Sequence, residues 1–165
     1  MFSAVTTEPT GSPAFYQSLV KQLDALTADE PDLIANLANI SAFLYDQLAD
    51  LNWLGFYLSQ GDELVLGPFQ GKVACVRIPF GKGVCGTAAS SREVQRVADV
   101  HAFAGHIACD SASNSEIVLP VIVNDRVVAV LDIDSPSLNR FSAEDEAGLS
   151  LLMPLLASLN WQQYG

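Results

Sequence analysis

The chain has 165 residues, half of them apolar, and 8 basic against 19 acidic residues give a formal net charge of −11. That length fits one domain with a sizeable core. The acidic balance disfavours nucleic acid and anionic membrane surfaces, which both need clustered Lys and Arg. No apolar run approaches the roughly 18 residues of a membrane span. The start, MFSAVTTEPTGSP, lacks the basic and apolar regions of a secretory leader, so a cytosolic protein is expected. Three cysteines are an odd count and a poor disulfide framework. In a reducing compartment, cysteines that pair do so for catalysis or sensing.

Residues 1–12 carry no periodic signal and are expected to be flexible, ahead of what reads as a single domain running to residue 165. Over residues 13–27, Phe15, Leu19, Leu23 and Leu26 fall at helical spacing. A second helix follows, with Asp29 and Glu30 at its start, Pro31 in its first turn, and Leu33, Leu37, Ile40, Leu44 and Leu48 on one face. From Asn52 to Gly81 the pattern becomes strand, Gly-Asp turn, strand, Gly turn, strand. GKGVCGTAASSRE reads as a glycine loop opening a short helix, and VQRVADV as a short strand. SEIVLPVIVNDRVVAVLDIDSP is a hairpin turning at Asn124-Asp125. The segment from Phe141 to Trp161 is a closing helix, capped by Ser142 with Asp145 three residues on, and kinked at Pro154. Helices, a run of antiparallel strands, then a helix argue for α+β: a central sheet with helices on one face. The loops carrying His101 to Asn114 would cover the other face and leave a ligand cavity beneath them.

Several residues could carry chemistry. Cys75 is expected in an apolar strand, VACVRI, where a cysteine is ordinarily a small buried hydrophobe. Cys85 sits near a helix start, where free amide N–H groups and the helix dipole lower a thiol pKa, so local electrostatics make it the most acidic thiol. Cys109 lies in the polar loop HIACDSASNSE, where a thiol is a liability unless it is used. A structural zinc site is disfavoured: His101, His106 and the scattered cysteines include no C-x-x-C pair. GKG lacks the spacing of a nucleotide phosphate loop. In VVAVLDIDSP, alternation puts Val128, Val130, Asp132 and Asp134 on one strand face, with Val127, Ala129, Leu131 and Ile133 on the other. Two carboxylates at the end of an apolar strand are either a strand end meeting water or a receptor for a cationic group such as an ammonium. Glu116 precedes the partner strand and could join them, and in such a cluster one carboxyl stays protonated and can act as a general acid. Trp53 and Tyr57, four apart in a strand, share a face and are either core or a clasp for a methyl or sulfur group.

WLGFY, LGPFQGKVACVRIPFGKGVCGTAA, HIACDSASNSEIVLP and LDIDSP, in that order, together resemble the free methionine-(R)-sulfoxide reductases, which are stand-alone GAF-fold enzymes. The resemblance runs from about Leu51 to the final helix and takes in all three cysteines. It implies a GAF-like fold with a six-stranded antiparallel sheet, and a homodimer. It also implies thiol-dependent reduction of the R epimer of free methionine sulfoxide. It makes Cys109 the nucleophile, Cys75 the resolving thiol and Cys85 a second redox cysteine. Glu116, Asp132 and Asp134 become substrate-binding or acid residues, and Trp53 and Tyr57 part of the methyl pocket. The implied intermediates are a sulfenic acid and an intramolecular disulfide, and the implied reductant is thioredoxin or a similar dithiol. No metal or organic cofactor is implied, because sulfur carries both electrons. The competing expectation is a GAF-type small-ligand or redox sensor without turnover.

Overall fold

The computed structural model describes residues 2–4, 8–107 and 112–164. Helix α1 spans Pro13–Thr27; Ser12 caps it by accepting from the Phe15 N–H at 3.1 Å, and Pro13 takes the first helical position, where its missing N–H costs nothing. Helix α2 spans Leu33–Gln47 and is capped by Asp32, which accepts from the Ala35 N–H at 2.8 Å. Pro31 therefore precedes this helix rather than lying in its first turn, because the Asp32 carboxylate sets the start. Strands β1 (Trp53–Gln60), β2 (Glu63–Gly71) and β3 (Arg77–Pro79) follow, then helix α3 (Gly83–Ser91) and strand β4 (Gln95–Val97). Strands β5 (Ser115–Val123) and β6 (Arg126–Ser135) form the long hairpin. Its two turn residues, Asn124 and Asp125, both hold positive φ (49° and 66°), as a tight two-residue hairpin turn requires.

The closing segment is two helices rather than one kinked helix: α4 (Ala143–Ser150) and α5 (Met153–Ala157). Ser142 and Asp145 form a reciprocal capping box at the start of α4. Pro154 sits in the first turn of α5. Having no N–H, it cannot continue the α4 hydrogen-bond ladder, so the chain starts a new helix.

The six strands form one antiparallel sheet in the order β3-β2-β1-β6-β5-β4. Two apolar clusters lie on its opposite faces. On one face, α1, α2, α4 and α5 pack Phe15, Leu19, Leu23, Leu37, Leu44, Leu149 and Leu156 against Leu54, Phe56, Leu119, Leu131 and Ile133. Each fully buried leucine there contributes roughly 2 kcal/mol. The other face holds a smaller cluster of Trp53, Tyr57, Ile78, Val84, Cys85, Ala88, Val118 and Val130. Helix α3 lies on this second face against β5 and β6, so one helix joins the loops that cover it. Strand alternation holds from Ala129 to Asp134. It breaks at a bulge, where Ile122 pairs with Val127 and Val121 with Ala129. The unpaired Val128 turns to the large core, and Val127 takes the pocket side, the reverse of simple alternation.

Candidate functional site

Cross-strand register builds the site. Trp53 on β1 pairs with Asp134 on β6, which pairs with Glu116 on β5; one step along, Gly55 pairs with Asp132. Directly opposed residues share a sheet face. The second face therefore carries an aromatic wall on β1 beside a group of carboxyls on β6 and β5. Trp53 stacks on Tyr57 at 5.8 Å and on Phe69 at 5.1 Å between ring centroids. Phe69 lies opposite Gly55, and any Cβ at Gly55 would overlap the Phe69 side chain. The missing side chain is what lets the ring lie against Trp53.

The wall also fastens a loop. Trp53 Nε1–H donates to the Lys72 carbonyl at 3.1 Å, and Tyr57 Oη–H donates to the Cys75 carbonyl at 2.9 Å. The β2–β3 connection is thus held at the pocket rim. Cys75 lies in this connection rather than in a buried strand, because β2 ends at Gly71 and β3 starts only at Arg77; it is half-buried and disulfide-bonded, whereas Cys85 is a free, buried thiol.

Trp53, Tyr57, Cys85, Glu116, Asp132 and Asp134 all line one pocket. Its four polar walls are almost dry: Cys85 and Asp132 are 5 % exposed, Glu116 and Asp134 8 %. Such burial makes ionisation costly. The Glu116 carboxyl is pushed well above the usual carboxylate range, first by burial and then by the charges of Asp132 and Asp134. Asp132 is also raised by burial, while hydrogen bonds from Glu116, Asp134 and Cys85 pull it back. Burial and mutual repulsion thus favour the protonated form in this cluster, most strongly at Glu116. Asp132 Oδ1 is buried with no hydrogen-bond partner. The Tyr57 hydroxyl is pushed far up by burial and by Asp132, and stays a donor.

One expectation is overturned. Cys85 does lie in the first turn of α3, but it is not an acidic thiol. Burial raises its pKa well above the ordinary value, and Asp132, Glu116 and Asp134 add to the rise. Its Sγ stands 3.9 Å from Glu116 Oε2. Carboxylates from strands far along the chain outweigh the local helix start. Cys109 lies outside the described residues.

The pocket includes residues that the sequence did not single out: Ala74, Ile78, Lys82, Ile107 and Ser113. Lys82 was legible only as part of GKG. It precedes α3 without a side-chain cap, so it brings a cation and uncapped backbone N–H groups to the mouth. Ser113 is buried and accepts from Asn52 Nδ2 at 3.0 Å; no motif marks it. His106 lines the pocket, its imidazole pKa lowered by burial and then by His101. His101 stays outside it and meets Asn114 Oδ1 at 3.1 Å. Among the described residues, no helix is long and apolar enough to cross a membrane.

The GAF domain family profile matches residues 27–159. The chain is 59% identical over 142 residues to the free methionine-R-sulfoxide reductase of Escherichia coli K12, covering 86% of each. It is 46% identical over 148 residues to the protein of that name from Saccharomyces cerevisiae, covering 85% of this chain and 82% of that one. The X-ray structure of free methionine-R-sulfoxide reductase from Neisseria meningitidis, in complex with its substrate, superposes with a TM-score of 0.93 at 41% identity, covering 100% of both chains.

Proposed function

We infer the reaction from membership: this chain belongs to the GAF-domain family and, within it, to the free methionine-R-sulfoxide reductases. It is an oxidoreductase that reduces free L-methionine-(R)-sulfoxide to L-methionine. The observation that carries this reading is the cross-strand row of Trp53, Asp134 and Glu116, with Asp132 beside it. A free amino acid brings an ammonium, and the carboxylates can hold it. Its side chain ends in a methyl next to a polar S=O, and here an aromatic wall meets a protonated acid. Lys82 and the uncapped start of α3 supply positive potential for the substrate carboxylate.

In the proposed chemistry, the Cys109 thiolate attacks the sulfoxide sulfur while Glu116 gives its proton to the oxygen. The S–O bond breaks as the oxygen passes to the Cys109 sulfur, the transient S–S bond breaks with its electron pair returning to methionine, and Cys109 is left as a sulfenic acid while the thioether departs. The Cys75 thiol then condenses with it, releasing water and forming a disulfide. A dithiol protein of the thioredoxin type restores both thiols by exchange. Support for Cys75 as the resolving thiol is that it is disulfide-bonded while Cys85 remains free. Cys85, held protonated, has no part in the first attack and is left as a second redox thiol. We further propose a single-domain, cytosolic protein that works as a homodimer.

The test is methionine release from the separated R and S epimers of free methionine sulfoxide, and from a peptide-bound sulfoxide, with dithiothreitol as reductant. Turnover of the free R epimer alone is expected. A Cys109→Ser variant should release none; a full turnover from it would remove Cys109 from the nucleophile's role. No turnover of any substrate by folded, reduced protein would leave a GAF-type sensor.

A further inference from the structure

We propose that the pocket also binds a thiophilic divalent cation of the zinc and cadmium class, held by Cys85 Sγ, Glu116 and Asp132, and that this cation excludes the amino-acid substrate. One ligand atom from each of these three residues lies within 4.8 Å of the others, and all three residues are buried. In a tetrahedral site with metal–sulfur bonds of about 2.3 Å and metal–oxygen bonds of about 2.0 Å, neighbouring sulfur and oxygen stand roughly 3.5 Å apart. The Cys85 Sγ to Glu116 Oε2 distance of 3.9 Å needs only a small contraction to meet it. A second observation points the same way. Asp132 Oδ1 is buried and has no hydrogen-bond donor, an acceptor that a cation would satisfy. The donor set of one sulfur and two carboxylates favours zinc or cadmium over magnesium or calcium, which take oxygen ligands alone.

Charge explains why the site is available to a cation. Three acidic groups meet a thiol in a dry pocket, and no basic side chain is bonded to Asp132 or Glu116 among the described residues. A divalent ion displaces the Cys85 thiol proton, which passes to solvent. The three protein ligands leave a fourth position for water. The reductive chemistry proposed above needs no metal, so the ion acts as an inhibitor, occupying the carboxylates that hold the substrate's ammonium. Because Cys85 is the free thiol when Cys75 is disulfide-bonded, the site persists in the oxidised chain.

Cadmium chloride is the probe, added to the full-length, disulfide-form protein in weak buffer. Expected are saturation at one equivalent, an ultraviolet sulfur-to-cadmium charge-transfer band, proton release, and no displacement by excess magnesium. Cys85→Ser should abolish the band. Asp132→Asn should weaken binding by about 10-fold or more, since even groups that merely support a metal ligand are worth that much. Free methionine sulfoxide should raise the apparent Kd for cadmium. No band in the folded wild type, or an undiminished band in Cys85→Ser, would overturn the site. Should a variant fail to fold, the wild-type titration decides: a band that substrate leaves untouched refutes exclusion. Only that competition arm rests on the proposed substrate; band and stoichiometry test the cation site independently of turnover.

Discussion

Replacing Glu116 by Gln separates two consequences of one buried proton. The side chains are nearly isosteric, and Gln keeps a donor for Asp132, so the contact with Cys85 persists. In the wild type, the Glu116 carboxyl keeps its proton well above its ordinary value near 4.5. The unfolded chain loses that proton as pH rises through 4.5, while the folded chain retains it. The folded state then binds more protons, and stability falls with rising pH. Each pH unit over which this difference persists costs about 1.4 kcal/mol. The loss relative to a non-ionising group grows over every part of the range in which the folded carboxyl keeps a proton that the unfolded one has released. The glutamine amide of the variant cannot ionise in either state. The Glu116→Gln variant should therefore be the more stable protein at pH 7, with a flatter stability profile between pH 4.5 and 7, and should match the wild type near pH 4. Denaturant titrations across that range measure this. Under the proposed mechanism the same variant has no proton to give the departing oxygen, so methionine release should fall by ~10²–10⁴-fold. Unchanged turnover would move the acid elsewhere. A variant less stable than the wild type at pH 7 would refute the protonated, desolvated carboxyl itself.

Other expectations follow from particular contacts. Tyr57→Phe removes the donor to the Cys75 carbonyl; the loss should be about 1 kcal/mol, seen as a Tm lower by roughly 2–4 °C, and an unshifted Tm would mean that bond contributes nothing. Gly148→Ala pushes a Cβ into the Tyr16 ring, whose hydroxyl donates to Asp145 Oδ1 at 2.7 Å; destabilisation of about 1–3 kcal/mol is expected in denaturant unfolding, and a neutral result would show that α1 and α4 can slide apart. Asp132→Asn should raise the KM for free methionine sulfoxide more than it lowers kcat, because under the proposed binding mode it removes a charge that meets the ammonium; a pure kcat effect would place Asp132 in the chemical step instead.

Much of the fold was legible because strands β1, β5 and β6 and helices α1 and α2 follow one period each over long runs. The Asn124-Asp125 turn and the Ser142–Asp145 box are local chemistry, readable from neighbouring residues alone. The start of α2 is set locally, by Asp32 beside Pro31, but most of the other errors occur where distant contacts decide. The bulge at Val128 is set by the β5 register, which no residue near Val128 encodes. The two-helix ending depends on whether Pro154 bends a helix or restarts one, and the sequence allows either. The pocket carboxyls were visible at the end of β6, and Glu116 at the start of β5, because hairpin register brings those ends together. The character of Cys85 was not, since its environment is made by Glu116 and Asp132 on other strands. Ser113 and Ile107 reach the pocket only through the path of a connecting loop, which has no period.

The two tryptophans of the chain sit on opposite sides of the sheet. Trp161 is packed in the large core, with its indole N–H bonded to the Leu156 carbonyl. Trp53 is in the pocket wall, and its indole N–H is bonded to the segment that leads to Cys75. One indole is therefore an internal standard, insulated from the chemistry, and the other is coupled to it through a single hydrogen bond and a ring stack. The protein carries its own optical gauge. A change in tryptophan emission on reducing the disulfide or filling the pocket belongs to Trp53, and Trp53→Phe silences the signal while leaving the emission of Trp161 as the baseline.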